Sequence, residues 1–297
     1  MSGPARPDPV PAGHRFAAAT AVRPEAPAPE AERPGPAPIW WSGTVQPGWD
    51  IAGNANGGYL LAICARAMAE ALGRPDPVTV TGHYLAPGKP GPVRVGVEVV
   101  KQGRTFGTAT ALLVAGDRPL LQAVGTFGEL GEEIDRNPAT ELVDQEPPPM
   151  PPPDRCVAVV ATETFPPPFM GQVELRLHPD DAHFMSGHPS GRPLMRGWFR
   201  LGDGEPVDTV ALLCAVDAFP PTVFNAHLPV AWTPTVELTA HVRARPEPGW
   251  LRCRFATHFV SGGFLEADGE IWDGAHRLVA QSRQLALVPR NPPPTSS

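Results

Sequence analysis

Cysteine is scarce in this chain: four residues in 297, at positions 64, 156, 214 and 253, with no Cys-x-x-Cys pair and no histidine at a zinc-like spacing. Such isolated positions argue against a disulfide framework or a structural zinc site, and read as reduced, mostly buried thiols of a cytoplasmic protein. Basic charge is also short. Against 31 acidic residues there are 24 Lys and Arg, and the net charge of −7 speaks against a nucleic-acid partner and gives no polybasic membrane signal. No run approaches the roughly 20 apolar residues of a membrane span, and the Pro- and Ala-rich first residues lack the apolar core of a secretory signal. What remains, 42% hydrophobic and 19% charged, is a globular chain long enough to bury a large core.

Proline is the residue in excess. The 41 prolines lie far above the usual ~5% of residues, and their clusters divide the chain. Residues 1–38 are punctuated by proline and poor in large apolar side chains, which predicts a disordered tail. Residues 131–154, containing Glu-Pro-Pro-Pro-Met-Pro-Pro-Pro, read as an extended linker, and 291–297 as a frayed end. Two segments of similar size are left, 39–130 and 155–290.

Each segment reads as a helix followed by a meander of strands. In the first, a β-prone Ile-Trp-Trp-Ser-Gly-Thr-Val (39–45) precedes the turn Gly-Asn-Ala-Asn-Gly-Gly (53–58). The apolar run from Tyr59 to Leu72 follows, stopped by Gly73 and Pro75, and then strands over 77–85, 92–103, 104–115 and 119–130. In the second, strands at 172–177 and 194–201 precede a helix over 208–219, then strands at 234–244, 249–260, 262–273 and 276–288. The two copies align. Thr81-x-His83 and Thr239-x-His241 differ by 158 positions, as do Pro90-Gly91 and Pro248-Gly249, while Leu121-Gln122 and Ala280-Gln281 differ by 159. A tandem repeat of one helix-on-antiparallel-sheet unit is the economical reading.

The helix Thr-Val-Ala-Leu-Leu-Cys-Ala-Val-Asp-Ala-Phe (209–219) carries one charge, Asp217. A carboxylate on an otherwise apolar, buried helix is costly unless it is paired or used. Aligning Cys64 with Cys214 sets a shift of 150, and the sister of Asp217 is then Ala67. The fold therefore does not require the acid. In the first copy, Asn56-Gly57-Gly58 opens the helix; glycine permits close backbone approach, and amides at a helix start carry partial positive charge.

A long apolar helix followed by long strands is wrapped by its sheet, which is the hotdog arrangement. Gly-Gly-Tyr-Leu-Leu-Ala-Ile-Cys, Val-Thr-Gly-His-Tyr-Leu-Ala-Pro-Gly, Gly-Arg-Thr-Phe, Val-Asp-Ala-Phe-Pro-Pro and Ala-Gln-Ser-Arg-Gln-Leu-Ala-Leu-Val together resemble acyl-CoA thioesterase II-like proteins over most of 40–290. The resemblance implies an α+β tandem (double) hotdog, two antiparallel sheets each wrapped around a long helix, and a hydrolase acting on acyl-CoA or acyl-carrier thioesters without metal or cofactor. It also implies a site: Asp217 orienting and deprotonating a water, with Thr235 and Gln284 holding that water and stabilising charge on the thioester oxygen. Thr235 and Gln284 correspond to Pro77 and Gly125 in the first copy, so the repeat is asymmetric at all three positions. Asn56, Gly57 and Gly58 are expected to face Asp217 and address the substrate. A homo-oligomer is expected from the fold type. Two rival functions share it: a hydratase or dehydratase on acyl thioesters, weakened by the lack of histidine in Trp-Asp-Ile-Ala-Gly-Asn-Ala-Asn-Gly-Gly, and a non-catalytic acyl-binding or polyketide-pathway protein.

Overall fold

The computed structural model describes residues 15–26, 38–131, 144–162 and 166–289. The first half contains α1 (Arg15–Thr20), β1 (Arg23–Pro24), β2 (Ile39–Val45), the short bridges β3 (Asp50–Ile51) and β4 (Asn54–Ala55), α2 (Gly57–Leu72), β5 (Asp76–Tyr84), β6 (Gly91–Gln102), β7 (Gly107–Ala115) and β8 (Arg118–Gly128). The second contains β9 (Val157–Val159), β10 (Val173–Leu177), α3 (Pro179–Ala182), β11 (Leu194–Leu201), α4 (Ala211–Ala215), β12 (Thr235–Val242), β13 (Leu251–Ala256), β14 (Val260–Ser261), β15 (Phe264–Trp272) and β16 (Leu278–Leu287). The expected strands are present, two of them with the expected bounds and the others with ends displaced by one to a few residues.

The repeat is visible in the strand registers. Ala109 pairs with Gly125 as Ala267 pairs with Gln284, and Arg94 pairs with Val114 as Arg252 pairs with Trp272. These are the same pairs displaced by 158 or 159 positions. β5 and β12 then pair with each other, antiparallel, with Thr81 opposite Thr239 and their hydroxyls 2.8 Å apart. A residue and its own counterpart facing each other marks a pseudo-twofold axis between the copies.

Two expectations are corrected here. There are not two separate sheets: the β5–β12 pairing joins both halves into one antiparallel sheet of 14 strands, which satisfies two edges that would otherwise present unpaired backbone groups. Nor is the second helix long. The expected 208–219 shrinks to the five residues of α4, followed by a turn at Val216 and Asp217. Pro220 and Pro221 deny the segment a helical continuation. Among the described residues only α2 is a long helix, of 16 residues. Asn56 caps it, accepting from the Tyr59 N–H at 2.9 Å, and Gly73 ends it in the left-handed conformation at φ 59°. Its Ala- and Leu-rich surface is buried almost all round, against β2, β5–β8 and α4.

The expected tail is a third correction. Within 1–38, residues 15–26 are ordered. Phe16 is 1% exposed and meets Trp49 edge-on at 5.6 Å, while the Phe16 and Ala17 N–H groups donate to Glu205 of the second half. One buried aromatic and an acid at the free N–H groups of a short helix are enough to anchor a segment that composition alone describes as tail. Residues 1–14, 27–37, 132–143 and 290–297, which carry the rest of the expected tails and part of the linker, lie outside the described residues. From 144 to 152 the linker has neither helix nor strand, and the Pro151 carbonyl accepts from the Trp198 indole.

Candidate active site

Three elements of the second half and one of the first meet at a single cavity. β16 turns Ala280, Ser282, Gln284 and Ala286 inward; Gln284 is the one long side chain in that otherwise small row. On β12 a register shift between Thr235 and Glu237 re-aims Thr235 toward the same place. Asp217 stands just past α4, in the turn that the prolines impose. The N-terminus of α2 closes the group from the opposite side.

Asp217 receives a full set of donors. Its Oδ2 accepts from the Gly58 N–H at 2.8 Å and from Asn56 Nδ2 at 3.1 Å, and its Oδ1 accepts from Gln284 Nε2 at 3.1 Å. Asn56 Nδ2 also donates to the Asp217 carbonyl at 2.8 Å. Gln284 Nε2 donates to Thr235 Oγ1 at 2.5 Å, so Gln284 bridges the acid and the hydroxyl. With its oxygen accepting from Gln284, Thr235 keeps its own proton for a group in the cavity. A carboxylate at a helix C-terminus faces an unfavourable dipole, but this one lies against the positive end of α2.

No cation among the described residues takes part, and this sets the acidity. Withdrawal from water raises the Asp217 carboxyl from 3.8 to about 6, and the donors from Gly58, Gln284, Gly57 and Asn56 pull it only partway back. Asp217 is half-buried, and what exposure it has is to the cavity it lines. At neutral pH it is mostly ionised yet within about one unit of the ambient pH, a good setting for a general base.

The glycines permit this geometry. A Cβ on Gly57 would stand 2.9 Å from Asp217 Oδ2 and from the Tyr84 ring, and one on Gly58 would run into the Leu213 carbonyl. The donors of Asn56 and Gly58 end on Asp217 rather than in the open cavity. The turn expected to address the substrate thus anchors the acid, because the carboxylate lies within reach of its amides.

The cavity measures about 580 Å³ and is walled by apolar side chains and prolines. Its rim includes the exposed Leu85, Val230 and Trp232, and its floor the buried Phe224 and Leu265. Among the described residues, Asp217 is the only charged one lining it, and no histidine does. Phe224 lines the cavity, whereas Trp41 and Trp49 are core and Trp40 stacks under Arg94 outside. Glu237 and Thr239 face away from it, on the strand face that also carries the exposed His83 and His241. Arg94, Arg243 and Arg245 are bound to Glu25, Gln281 and Asp76. Tyr84 escaped sequence reasoning. Its ring lines the cavity against Gly57, and its hydroxyl is buried with no hydrogen-bond partner among the described residues. Its counterpart is the apolar Val242.

The sister positions show why there is one such cluster. Ala67, Pro77 and Gly125 are buried and offer no side-chain polar atom. The Phe127 ring lies over Gly125, 2.8 Å from where a Cβ would be, and the counterpart of Phe127 is Ala286. A phenyl ring fills in the first copy what a methyl leaves open in the second.

Family models describing an acyl-CoA thioesterase N-terminal domain and an acyl-CoA thioesterase C-terminal domain match residues 45–128 and 145–288. The chain belongs to the acyl-CoA thioesterase family. As a member it is a thioester hydrolase. A Thermobifida fusca structure assigned as a thioesterase II is 30% identical, with 93% of this chain and 98% of that one covered at a TM-score of 0.80. A hotdog-fold protein of unknown function from Alicyclobacillus acidocaldarius aligns at 23% identity, covering 94% and 99%, with a TM-score of 0.72. An uncharacterised Mycobacterium tuberculosis protein is 29% identical across 92% of this chain and 98% of its own. The thioesterase thus shares the hotdog fold, and its family boundary falls in the linker. Residues 15–26 lie outside both matched domains. No helix among the described residues is long and apolar enough to cross a membrane.

Proposed function

We propose that this thioesterase is a double hotdog with one composite site, which hydrolyses thioesters of neutral, apolar acyl groups by direct attack of a water activated by Asp217. The observation that carries the reading is an ionisable carboxylate that faces an apolar cavity and is held by neutral donors alone. Asp217 takes a proton from water as the water oxygen bonds to the thioester carbon. The carbonyl oxygen becomes an oxyanion, to which Thr235 donates its free proton. Gln284 keeps Asp217 and Thr235 in register. Collapse of the intermediate breaks the carbon–sulfur bond, and the proton held on Asp217 leaves with the thiolate. Water and thioester become acid and thiol, with no covalent enzyme intermediate and no cofactor. A hydratase or dehydratase mechanism resting on histidine finds none among the lining residues.

Purified protein, offered a panel of acyl-CoAs with a thiol-reactive dye, is expected to release coenzyme A from octanoyl and decanoyl thioesters. Succinyl-CoA is expected to be at least about tenfold poorer in kcat/KM, because a second carboxylate in this cavity would be desolvated with no cation to meet it. Failure to release thiol from any member of the panel would refute the proposal.

Thr235→Val keeps the shape and removes only the hydroxyl. Its kcat is expected to fall by about 10²-fold, the scale of one lost oxyanion donor, with KM little changed. An effect confined to KM would assign Thr235 to ground-state binding instead.

A further inference from the structure

We infer that Ala267 is a specificity-determining residue: its small side chain opens the inner lobe of the cavity, and the acyl chain runs past it. The inference rests on the hydrolytic reading above and adds the direction in which the substrate lies. Ala267 sits on β15 directly opposite Gln284 on β16, so the two side chains stand on one face, with Cβ atoms about 5 Å apart. Its neighbours on that face, Leu265 and Gly269, are buried, whereas Ala267 is half-exposed, and the space it meets is the cavity.

The cavity has two ends. One is the rim of Leu85, Val230 and Trp232, each more than one-third exposed, which suits the bulky, polar thiol carrier. The other is the wall around Gln284 and Ala267, and Leu265, Phe219 and Phe224, which also line the cavity, add no charged side chain. An apolar chain attached to a carbonyl at Asp217 and Thr235 is sheltered from water only in the second direction.

The repeat supplies an internal control. The counterpart of the pair Ala267–Gln284 is Ala109–Gly125: the alanine is kept, and glycine stands where the second copy has Gln284. In the first copy the protein fills the notch, with the Phe127 ring against Gly125. In the second copy Ala286 replaces that phenylalanine, and the notch remains part of the cavity. The same strand pair therefore receives a side chain in one half and is open to a ligand in the other.

The test compares wild type with Ala267→Leu and, as a milder change, Ala267→Val, on butyryl, octanoyl and lauroyl thioesters. The lauroyl-to-butyryl ratio of kcat/KM is expected to fall at least tenfold in Ala267→Leu, and less in Ala267→Val. Near-unchanged ratios in folded variants, whether or not rates fall together, would overturn the inference. Calorimetric binding of laurate and butyrate reads the same lobe without turnover, and laurate is expected to weaken at least tenfold relative to butyrate in Ala267→Leu. If wild type releases no thiol but laurate binding behaves so, the hydrolytic reading fails and the lobe stands. If thiol is released and neither ratio moves, the lobe assignment fails alone.

Discussion

Gly58→Ala is expected to destabilise the protein and nearly abolish turnover in one step. Glycine to alanine within a helix normally stabilises, by about 1 kcal/mol. Here the sign reverses. The new Cβ would press on the Leu213 carbonyl and Cys214 Cα as well as Asp217 Cβ, and backbone cannot rotate away as a long side chain would. α2 and α4 must separate, at a cost of about 1–3 kcal/mol as in other overpacked interfaces. The same movement lengthens the 2.8 Å bond from the Gly58 N–H to Asp217. A misplacement of about 1 Å can cost ~10²-fold in rate. Thermal melts and kcat/KM on one preparation check both halves: Tm falls, and kcat/KM falls by about two orders of magnitude. An alanine variant with raised Tm and full activity would show that the helices are not in contact as described.

Asp217→Asn should remove more activity and less stability. General-base catalysis contributes ~10²–10⁴-fold, and an amide of the same shape cannot take the proton, so kcat is expected to fall by that amount with KM little altered. The fold should not suffer. The sister helix carries Ala67 at this point, and the Gln284 amide can turn its oxygen toward the new amide donor. Stability at neutral pH is expected to hold or rise, for a reason of sign. The folded carboxyl sits at about 6 against an ordinary 3.8, so between those values the folded state binds more protons than the unfolded state. Its stability therefore falls as pH rises through that window and stays reduced above it. Asparagine removes that penalty. A variant that loses activity only because it unfolds would show a lower Tm at pH 7 and contradict this account.

Much of this arrangement was legible in the sequence, and the reasons differ by element. Alternation and turn residues locate the strands of both meanders, because an antiparallel sheet with one buried face imposes a period of two. The repeat needed only residue pairs such as Thr81 and Thr239, and the axis between them turns a numerical offset into a contact. Asp217 stood out because its sister is Ala67. The misses share a cause, which is that tertiary contacts decided them. An apolar run predicts a helix at 208–219, but Pro220 and Pro221 and the docking of Asp217 onto α2 end it early. Residues 15–26 fold because Glu205, some 190 positions away, caps them. Asn56 and Gly58 do face Asp217, as expected, but that their donors end on the carboxylate is decided by distance and not by residue type. Trp232 and the loop prolines line the cavity from segments without periodicity, so no pattern could mark them, and Tyr84 is the last residue of β5, where the strand pattern runs out. The inward row on β16 did hold a signal: Gln284 among alanine and serine is out of character for a buried face.

The central claim is that an ionised Asp217 activates water, and the pH dependence of kcat/KM for an octanoyl thioester tests it most directly, measured side by side for wild type and Asp217→Asn. The wild-type profile should rise with pH through an inflection near 6, where Asp217 loses its proton, and then level off. The asparagine variant should show a low residual rate without that inflection. The same inflection in both proteins, or equal rates at the plateau, would contradict the account.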